Sequence, residues 1–315
     1  MPQGLPSYRP QGVFGSGAAA ITVAVLVLLI AGLVALPLAV TLRLIHPSRQ
    51  LPAVTPAADG LAYTSVAFPS RTVHVGLSGW WIPAPGGTGA TAVLVSGYRE
   101  NRLIGNIGLP LAQVVQAQGW NVLMFDFSGT GRSQPGDVAP GPGEVSDVLG
   151  AVRYARSRVA QAAPIVVLGY GAGGDMALLA AEQDQNIAGV LADSPFSSLS
   201  PYLRRNLARW AGLPTWPFRA LLLQAWPLVT GVPPASVDPQ AGMAGLGARP
   251  VLLIAGTADA VSPARDARAL ASADPGSDLW VVQGAAHLQA WTMDHAGYVQ
   301  RLDAWLAMCV NAPAA

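Results

Sequence analysis

The chain has 315 residues, of which 51% are hydrophobic and only 11% are charged. This composition excludes extensive disorder and predicts one large core, alone or together with a segment that lies in a membrane. All 18 basic residues are arginines, they are scattered along the chain, and the formal net charge is +1. Since no basic stripe is available to follow a phosphate backbone, we expect no nucleic-acid partner.

The cysteine and histidine content argues against a metal site. A single cysteine, Cys309, excludes an intrachain disulfide and any cysteine-based metal site. Of the histidines, only His287 and His295 lie near each other in sequence, and no further ligands follow at the spacing of a zinc site. We therefore expect no metal and no cofactor.

A long apolar segment near the N-terminus predicts a membrane anchor. No charged residue lies between Arg9 and Arg43, and residues 18–42 are apolar apart from two threonines. A helix of this length crosses a hydrocarbon core of ~30 Å, whereas the apolar region of a signal peptide runs only ~7–15 residues. We expect a single-pass transmembrane helix over 18–42, after a short tail (1–17) and before a linker (43–60). Arg9 together with the α-amino group on one side balances Arg43 and Arg49 on the other, so the sequence predicts no orientation.

Beyond the linker, short apolar runs alternate with helical segments. The runs cover residues 92–97, 121–126, 164–169, 188–193, 250–256 and 278–284, and the helical segments 109–118, 144–158, 175–182, 264–273 and 295–308. Continuous apolar strands separated by helices are typical of a mostly parallel, doubly wound sheet covered on both faces. We expect an α/β domain over 61–310. An antiparallel strand pair that meets near Ser78 and Gly79 is predicted to precede it.

The interval 196–249 interrupts this alternation. It is helical in pattern, broken by prolines, and contains Trp210, Trp216 and Trp226. Because it is too long for a simple crossover, we interpret it as a helical lid inserted over the carboxyl ends of the strands. An ordinary crossover helix with additional packing is the alternative.

A glycine-rich turn, GYGAGG at 169–174, fits two unrelated chemistries. Gly169, Gly171 and Gly174 match the G-x-G-x-x-G fingerprint of dinucleotide sites, and Asp193 ends the next strand, where an acid would bind ribose. That fingerprint normally opens its sheet, but here several strands precede it. The same turn also half-matches G-x-S-x-G, the strand-to-helix turn that exposes a nucleophile.

Six segments decide between these interpretations by their order and spacing. They are SGYREN (96–101), DFSGTGRS (126–133), GYGAGG (169–174), ADSPFSSL (192–199), GTADAVSP (256–263) and GAAHLQAW (284–291). Together they resemble the α/β-hydrolase superfamily, specifically its serine-aminopeptidase-like and prolyl-oligopeptidase-like branch, over roughly residues 60–310. The resemblance implies an α/β-hydrolase fold and hydrolysis of a carboxylic ester, a thioester or a peptide-like amide.

The resemblance also implies roles for individual residues. His287 would be the general base and Asp259 the carboxylate that orients it. The backbone N–H groups of Tyr98 and Ala172 would form the oxyanion hole. Asp193 ends a strand at the same edge of the sheet and is a reserve candidate for the acid.

The sequence departs from the family at one position, because Gly171 occupies the place of the nucleophilic serine. Without a hydroxyl no acyl-enzyme can form, although glycine readily accepts the backbone angles of such a turn. We therefore expect a membrane-anchored, non-catalytic or strongly impaired hydrolase relative that binds an acyl-lipid or ester ligand. The alternatives are a hydrolase that uses water activated by His287, a dinucleotide-binding oxidoreductase, and a structural membrane protein whose hydrolase loops are relics.

Overall fold

The computed structural model describes residues 14–72, 75–87 and 89–311. The strands are β1 Thr64–Pro69, β2 Gly76–Ile82, β3 Thr91–Val95, β4 Asn121–Phe125, β5 Ile165–Tyr170, β6 Ile187–Asp193, β7 Val251–Gly256 and β8 Asp278–Val282. The α-helices are α1 Phe14–Ile45, α2 Gly108–Ala117, α3 Pro142–Arg158, α4 Ala172–Gln183, α5 Leu199–Trp210, α6 Thr215–Thr230, α7 Pro239–Gly242, α8 Ala264–Ala273, α9 Ala290–Met293 and α10 His295–Asn311. Short 3-10 helices cover Pro56–Asp59, Pro234–Ser236 and Met243–Leu246.

The strands form one mixed sheet in the order β1-β2-β4-β3-β5-β6-β7-β8. The six strands from β3 to β8 are parallel, and β1 and β2 complete one edge in antiparallel orientation. The predicted α/β class and the mostly parallel, doubly wound sheet are confirmed. Because the carboxyl ends of the parallel strands share one edge of the sheet, the loops that follow them are brought together.

The prediction that two strands meet near Ser78 and Gly79 is wrong. Both residues lie within β2, whose antiparallel partner is the earlier strand β1. A Cβ atom on Gly79 would lie 2.8 Å from the Met124 carbonyl oxygen, so this glycine permits close approach to β4 rather than a turn. Positions 73 and 74 of the predicted first strand lie outside the described residues.

Both faces of the sheet are covered, as the continuous apolar runs predict. In β3, Val93 and Val95 face one core, which also contains residues of α3 and α4. Ala92 and Leu94 face the other, which contains residues of α2 and α10. Every side chain of β3 is therefore buried, which is the pattern of a central strand between two helical layers.

Helix α1 extends beyond the predicted 18–42 at both ends, and its two parts have different surroundings. Residues 17–36 are exposed on all sides, whereas Pro37, Thr41, Leu44 and Ile45 are buried against the domain, where α1 packs along α6. The segment Gly17–Ile45 is long and apolar enough to cross a membrane. The exposed part alone spans ~30 Å at ~1.5 Å per residue, which matches a hydrocarbon core.

The end of α1 is fixed to the domain by hydrogen bonds. The Tyr98 hydroxyl donates to the Leu44 carbonyl oxygen at 2.9 Å. The N–H of Val138 donates to the Ile45 carbonyl oxygen at 2.9 Å. The predicted linker therefore does not begin as a free tether, because the chain around residue 45 is bonded to two loops of the sheet.

The interval 196–249 contains α5, α6 and α7 between β6 and β7, as predicted for an insertion. Its start is held by the Phe196 N–H, which donates to both carboxylate oxygens of Asp175 at 3.1 Å. Trp226 is fully buried and Trp216 is 86% exposed, so the predicted tryptophans divide between core and surface.

A buried carboxyl group makes the stability of the fold depend on pH. Glu144 is buried on α3, and this burial, reinforced by the nearby Asp147 carboxylate, raises its pKa from 4.5 to about 8. The folded state therefore binds the proton more tightly than the unfolded state, and stability falls as the pH rises from ~4.5 to ~8.

We expect Glu144→Gln to flatten this profile. Between pH 5 and pH 8.5 the natural protein should lose on the order of 3 kcal/mol more of its free energy of unfolding than the variant does, because the amide has no proton to release. Urea unfolding of the detergent-solubilised chain at both pH values measures the difference. Glu182→Gln, at an exposed position near the end of α4, is the matched control. Equal pH slopes for Glu144→Gln and the natural protein would contradict the prediction.

Candidate active site

The glycine-rich turn lies between β5 and α4, in the centre of the sheet. Gly171 has φ 54° and ψ −131°, in a region that side chains rarely occupy. Its N–H donates to the carbonyl oxygen of Asp193 at 2.8 Å, which fixes the turn against the end of β6. Glycine accepts this conformation without the strain of ~1–3 kcal/mol that a side chain would bring.

The neighbouring glycines serve close packing. A Cβ atom on Gly173 would lie 2.2 Å from the Ser96 carbonyl oxygen, and one on Gly169 would lie 2.4 Å from the Gly173 carbonyl oxygen. Helix α4 can therefore approach the ends of β3 and β5 only because these positions lack side chains. This packing requirement accounts for the G-x-G-x-x-G spacing without a nucleotide.

Two of the predicted residues meet directly at the carboxyl edge. Asp259 follows β7 and His287 follows β8, and the Asp259 Oδ2 atom lies 2.8 Å from the His287 Nδ1 atom. The other carboxylate oxygen of Asp259 accepts the N–H groups of Val261 and Ser262, both at 2.8 Å. The carboxylate is thereby held in one orientation, and it favours the tautomer in which Nδ1 carries the proton and Nε2 is free to accept one.

The Nε2 atom of His287 faces the turn at Gly171. A Cβ atom on Gly171 would lie 3.3 Å from it, which is slightly closer than ordinary van der Waals contact, so the imidazole would have to shift by a few tenths of an ångström. A hydroxyl on such a Cβ would therefore lie beside the imidazole. The described structure thus brings together His287, Asp259 and the turn at Gly171, which has no side chain.

Asp193 does not contact the imidazole nitrogen that Asp259 holds. It is fully buried, accepts a hydrogen bond from Ser194 Oγ at 2.9 Å and lies 3.3 Å from the Tyr298 hydroxyl. Burial raises its pKa to about 6. Ser194 Oγ in turn accepts a hydrogen bond from the Leu288 N–H at 3.1 Å. This network therefore links the end of β6 to the loop that contains His287.

The two predicted oxyanion donors border the same cavity. Tyr98, Ala172, Gly171 and His287 all line a cleft of about 210 Å³. As the first residue of α4, Ala172 has an N–H that its own helix does not use. Among the described residues, none accepts a hydrogen bond from the N–H of Tyr98. Both donors are therefore available for an oxygen atom in the cleft.

Sequence reasoning missed Glu100, which also lines this cleft. Its Oε2 atom is buried and has no hydrogen-bond partner in the part of the chain that the structure describes. Burial raises the pKa of this carboxyl, and a hydrogen bond from the Gly97 backbone partly offsets the effect. Glu100 belongs to the SGYREN segment, so its charge was the only signal in the sequence.

The inserted helix α5 supplies the aromatic wall of the cleft. The ring centroids of Tyr98 and Trp210 are 5.1 Å apart, and those of Tyr202 and Trp210 are 5.4 Å apart. Tyr202 and Trp210, both on α5, line the cleft. One side of the site is therefore apolar and flat, next to the polar dyad.

The strand order, the turn after β5 and the acid and histidine after β7 and β8 define a chain of the α/β-hydrolase class. Residues 88–243 match the family model described as "Serine aminopeptidase, S33". The chain has the α/β-hydrolase fold, and about half of it is similar to the serine aminopeptidase family. No curated protein matches the sequence.

Solved structures of hydrolases share the fold. The esterase Pf2001 of Pyrococcus furiosus superposes with a TM-score of 0.70 at 22% identity, over 84% of this chain and 98% of the esterase. The α/β hydrolase GrgF from Penicillium sp. sh18 gives 0.62 at 19% identity, over 80% and 100%. Est1E from Butyrivibrio proteoclasticus, solved with ferulic acid, gives 0.58 at 15% identity, over 78% and 100%.

Proposed function

We propose that this protein is a membrane-anchored α/β-hydrolase relative whose cleft binds an ester or acyl-lipid ligand without forming an acyl-enzyme. One observation carries the proposal: the position beside His287 Nε2 is occupied by Gly171, which has no side chain to attack a carbonyl group. The dyad and the two backbone donors remain, and they favour a ligand with a carbonyl oxygen.

The anchor is supported by the exposure of α1. Residues 17–36 make no buried contact with the domain, and this apolar surface needs a lipid environment. Trp210 and Tyr202 give the cleft an apolar wall, and the end of α1 is bonded to Tyr98 at its rim. Nearness to the membrane and the aromatic wall together favour ligands that carry acyl chains.

A slow hydrolase is the second candidate, because the His287–Asp259 dyad is intact and Nε2 is free to take a proton from water. A dinucleotide site has no comparable support. Asp193, its ribose-binding acid, is fully buried and engaged by Ser194 and Tyr298.

We expect the natural protein to acquire no covalent adduct from a fluorophosphonate, because no hydroxyl lies beside His287. Intact-protein mass spectrometry of the full chain in detergent measures the adduct. The melting temperature should rise with a monoacylglycerol, and His287→Ala should leave short-chain ester turnover at the level of the natural protein.

The contrary outcomes are distinct. An adduct at any residue of the cleft would overturn the interpretation of Gly171. Turnover without an adduct that disappears in His287→Ala would establish the water-using hydrolase instead. Flavin or nicotinamide retained through purification would support the dinucleotide site.

A further inference from the structure

A second cavity, distinct from the cleft with His287, lies between α1 and the inserted helices. It has a volume of about 320 Å³. Val40, Arg43 and Leu44 of α1 form one wall, and Arg209 at the end of α5 together with Arg99 after β3 forms another. We name it the arginine cavity. Arg99 and Trp210 line both cavities, so the two adjoin.

Its three arginines come from distant parts of the sequence and are not neutralised. In the described part of the chain, none of Arg43, Arg99 and Arg209 forms an ion pair, and no carboxylate lines the arginine cavity. Arg209 donates only to the Asn206 side-chain oxygen, at 3.1 Å. All three arginines are exposed. Three arginines without a carboxylate partner around one cavity favour an anion with several oxygen atoms, such as phosphate.

The position of the cavity along α1 favours a lipid headgroup as the source of that anion. The exposed part of α1 ends at residue 36, and the cavity begins one turn later at Val40. If residues 17–36 fill the hydrocarbon core, the cavity lies at the level of the lipid headgroups. Its apolar wall, Val40 and Leu44, continues the surface that the acyl chains would contact.

We propose that the arginine cavity binds the headgroup phosphate of an anionic phospholipid, beside the cleft that contains His287. This inference rests on the membrane anchor of the proposed function. Arg43 alone would be the ordinary basic residue at the end of a span. A membrane anchor by itself does not require Arg99 and Arg209 to line the same cavity as Arg43.

The test uses the full chain in neutral detergent, with dioctanoyl phosphatidylglycerol as the probe and dioctanoyl phosphatidylcholine for comparison. Phosphatidylglycerol should raise the melting temperature more than phosphatidylcholine does. The double variant Arg99→Gln/Arg209→Gln should bind phosphatidylglycerol roughly 10-fold or more weakly, since two charges at a membrane surface are lost. Arg153→Gln/Arg268→Gln, at two exposed positions on α3 and α8, should bind as the natural protein does.

Each other outcome counts against a defined part of the argument. Equal weakening in both double variants would mean attraction by net charge and would overturn the site. A stabilisation by inorganic phosphate as large as that by the lipid would overturn the lipid source. Release of the natural chain from membranes by alkaline carbonate would refute the anchor and with it this inference. By contrast, loss of phosphatidylglycerol selectivity in Arg99→Gln/Arg209→Gln, with this variant still resistant to extraction by alkaline carbonate, would support the cavity independently of the anchor.

Discussion

Gly171→Ser is expected to make the protein react with a fluorophosphonate at residue 171 and hydrolyse short-chain esters. The new Cβ would lie 3.3 Å from His287 Nε2, so the hydroxyl would be within reach of an imidazole already oriented by Asp259. The N–H of Ala172 would face the tetrahedral intermediate. We expect turnover on the order of 10³-fold above the natural protein, because the hydroxyl completes a triad whose members act as a unit.

The matched control is Gly171→Ala, which introduces the same Cβ without a nucleophile. Both variants force a side chain into φ 54°, so both should lose ~1–3 kcal/mol of stability, and only the serine variant should react. Adding His287→Ala to the serine variant should abolish the reaction with the fluorophosphonate. Two folded variants that both fail to react would contradict the role assigned to this turn. This result would mean that the cleft has lost other features needed for catalysis besides the serine.

The secondary structure was largely predictable because apolar periodicity is a local property. The predicted helix 264–273 has the same bounds as α8, and the predicted strand 250–256 begins one residue before β7. The error near Gly79 shows the limit of local signals. A glycine that permits close approach of a neighbouring strand has the same sequence signature as a glycine in a turn.

The sequence spacing of Asp193 and Asp259 does not determine which of them contacts His287, because this depends on the three-dimensional path of the loops. Asp193 is the last residue of β6 and Asp259 follows β7, so both lie at the same edge of the sheet. Only the Asp259 carboxylate is at 2.8 Å from Nδ1 of His287, whereas Asp193 is buried and bonded to Ser194. The backbone path of each loop after its strand makes this difference.

Contacts between segments that are distant in the sequence could not be predicted either. Arg43, Arg99 and Arg209 are separated by long stretches of chain, and their convergence depends on how α1 packs along α6. The apolar pattern of residues 18–42 is the same whether a helix is wholly in lipid or partly against protein. Packing of Pro37 to Ile45 on the domain therefore appears only in the structure.

A buried ion pair holds the loop that carries the predicted oxyanion donor. Arg102 Nη2 lies 2.6 Å from Asp126 Oδ2, and the two side chains are 1% and 0% exposed. The other carboxylate oxygen of Asp126 accepts the backbone N–H of Arg102 at 2.8 Å, and Oδ2 also accepts the N–H of Arg132 at 2.7 Å. One carboxylate thus joins the loop after β3 to the loop after β4.

Asp126→Ala is accordingly expected to lower the free energy of unfolding by ~3–5 kcal/mol, because it leaves the Arg102 guanidinium buried without its counter-charge. Denaturant unfolding measures the loss. Asp278→Ala removes an exposed pair, in which Arg301 Nη1 lies 3.8 Å from the carboxylate, and should cost no more than ~1 kcal/mol. Arg102→Met added to Asp126→Ala should restore part of the stability, since it removes the unpaired charge. If Asp126→Ala costs no more than Asp278→Ala, the carboxylate does not hold the two loops together. The position of the Tyr98 N–H must then come from the hydrogen bond between its side chain and Leu44 at the end of α1.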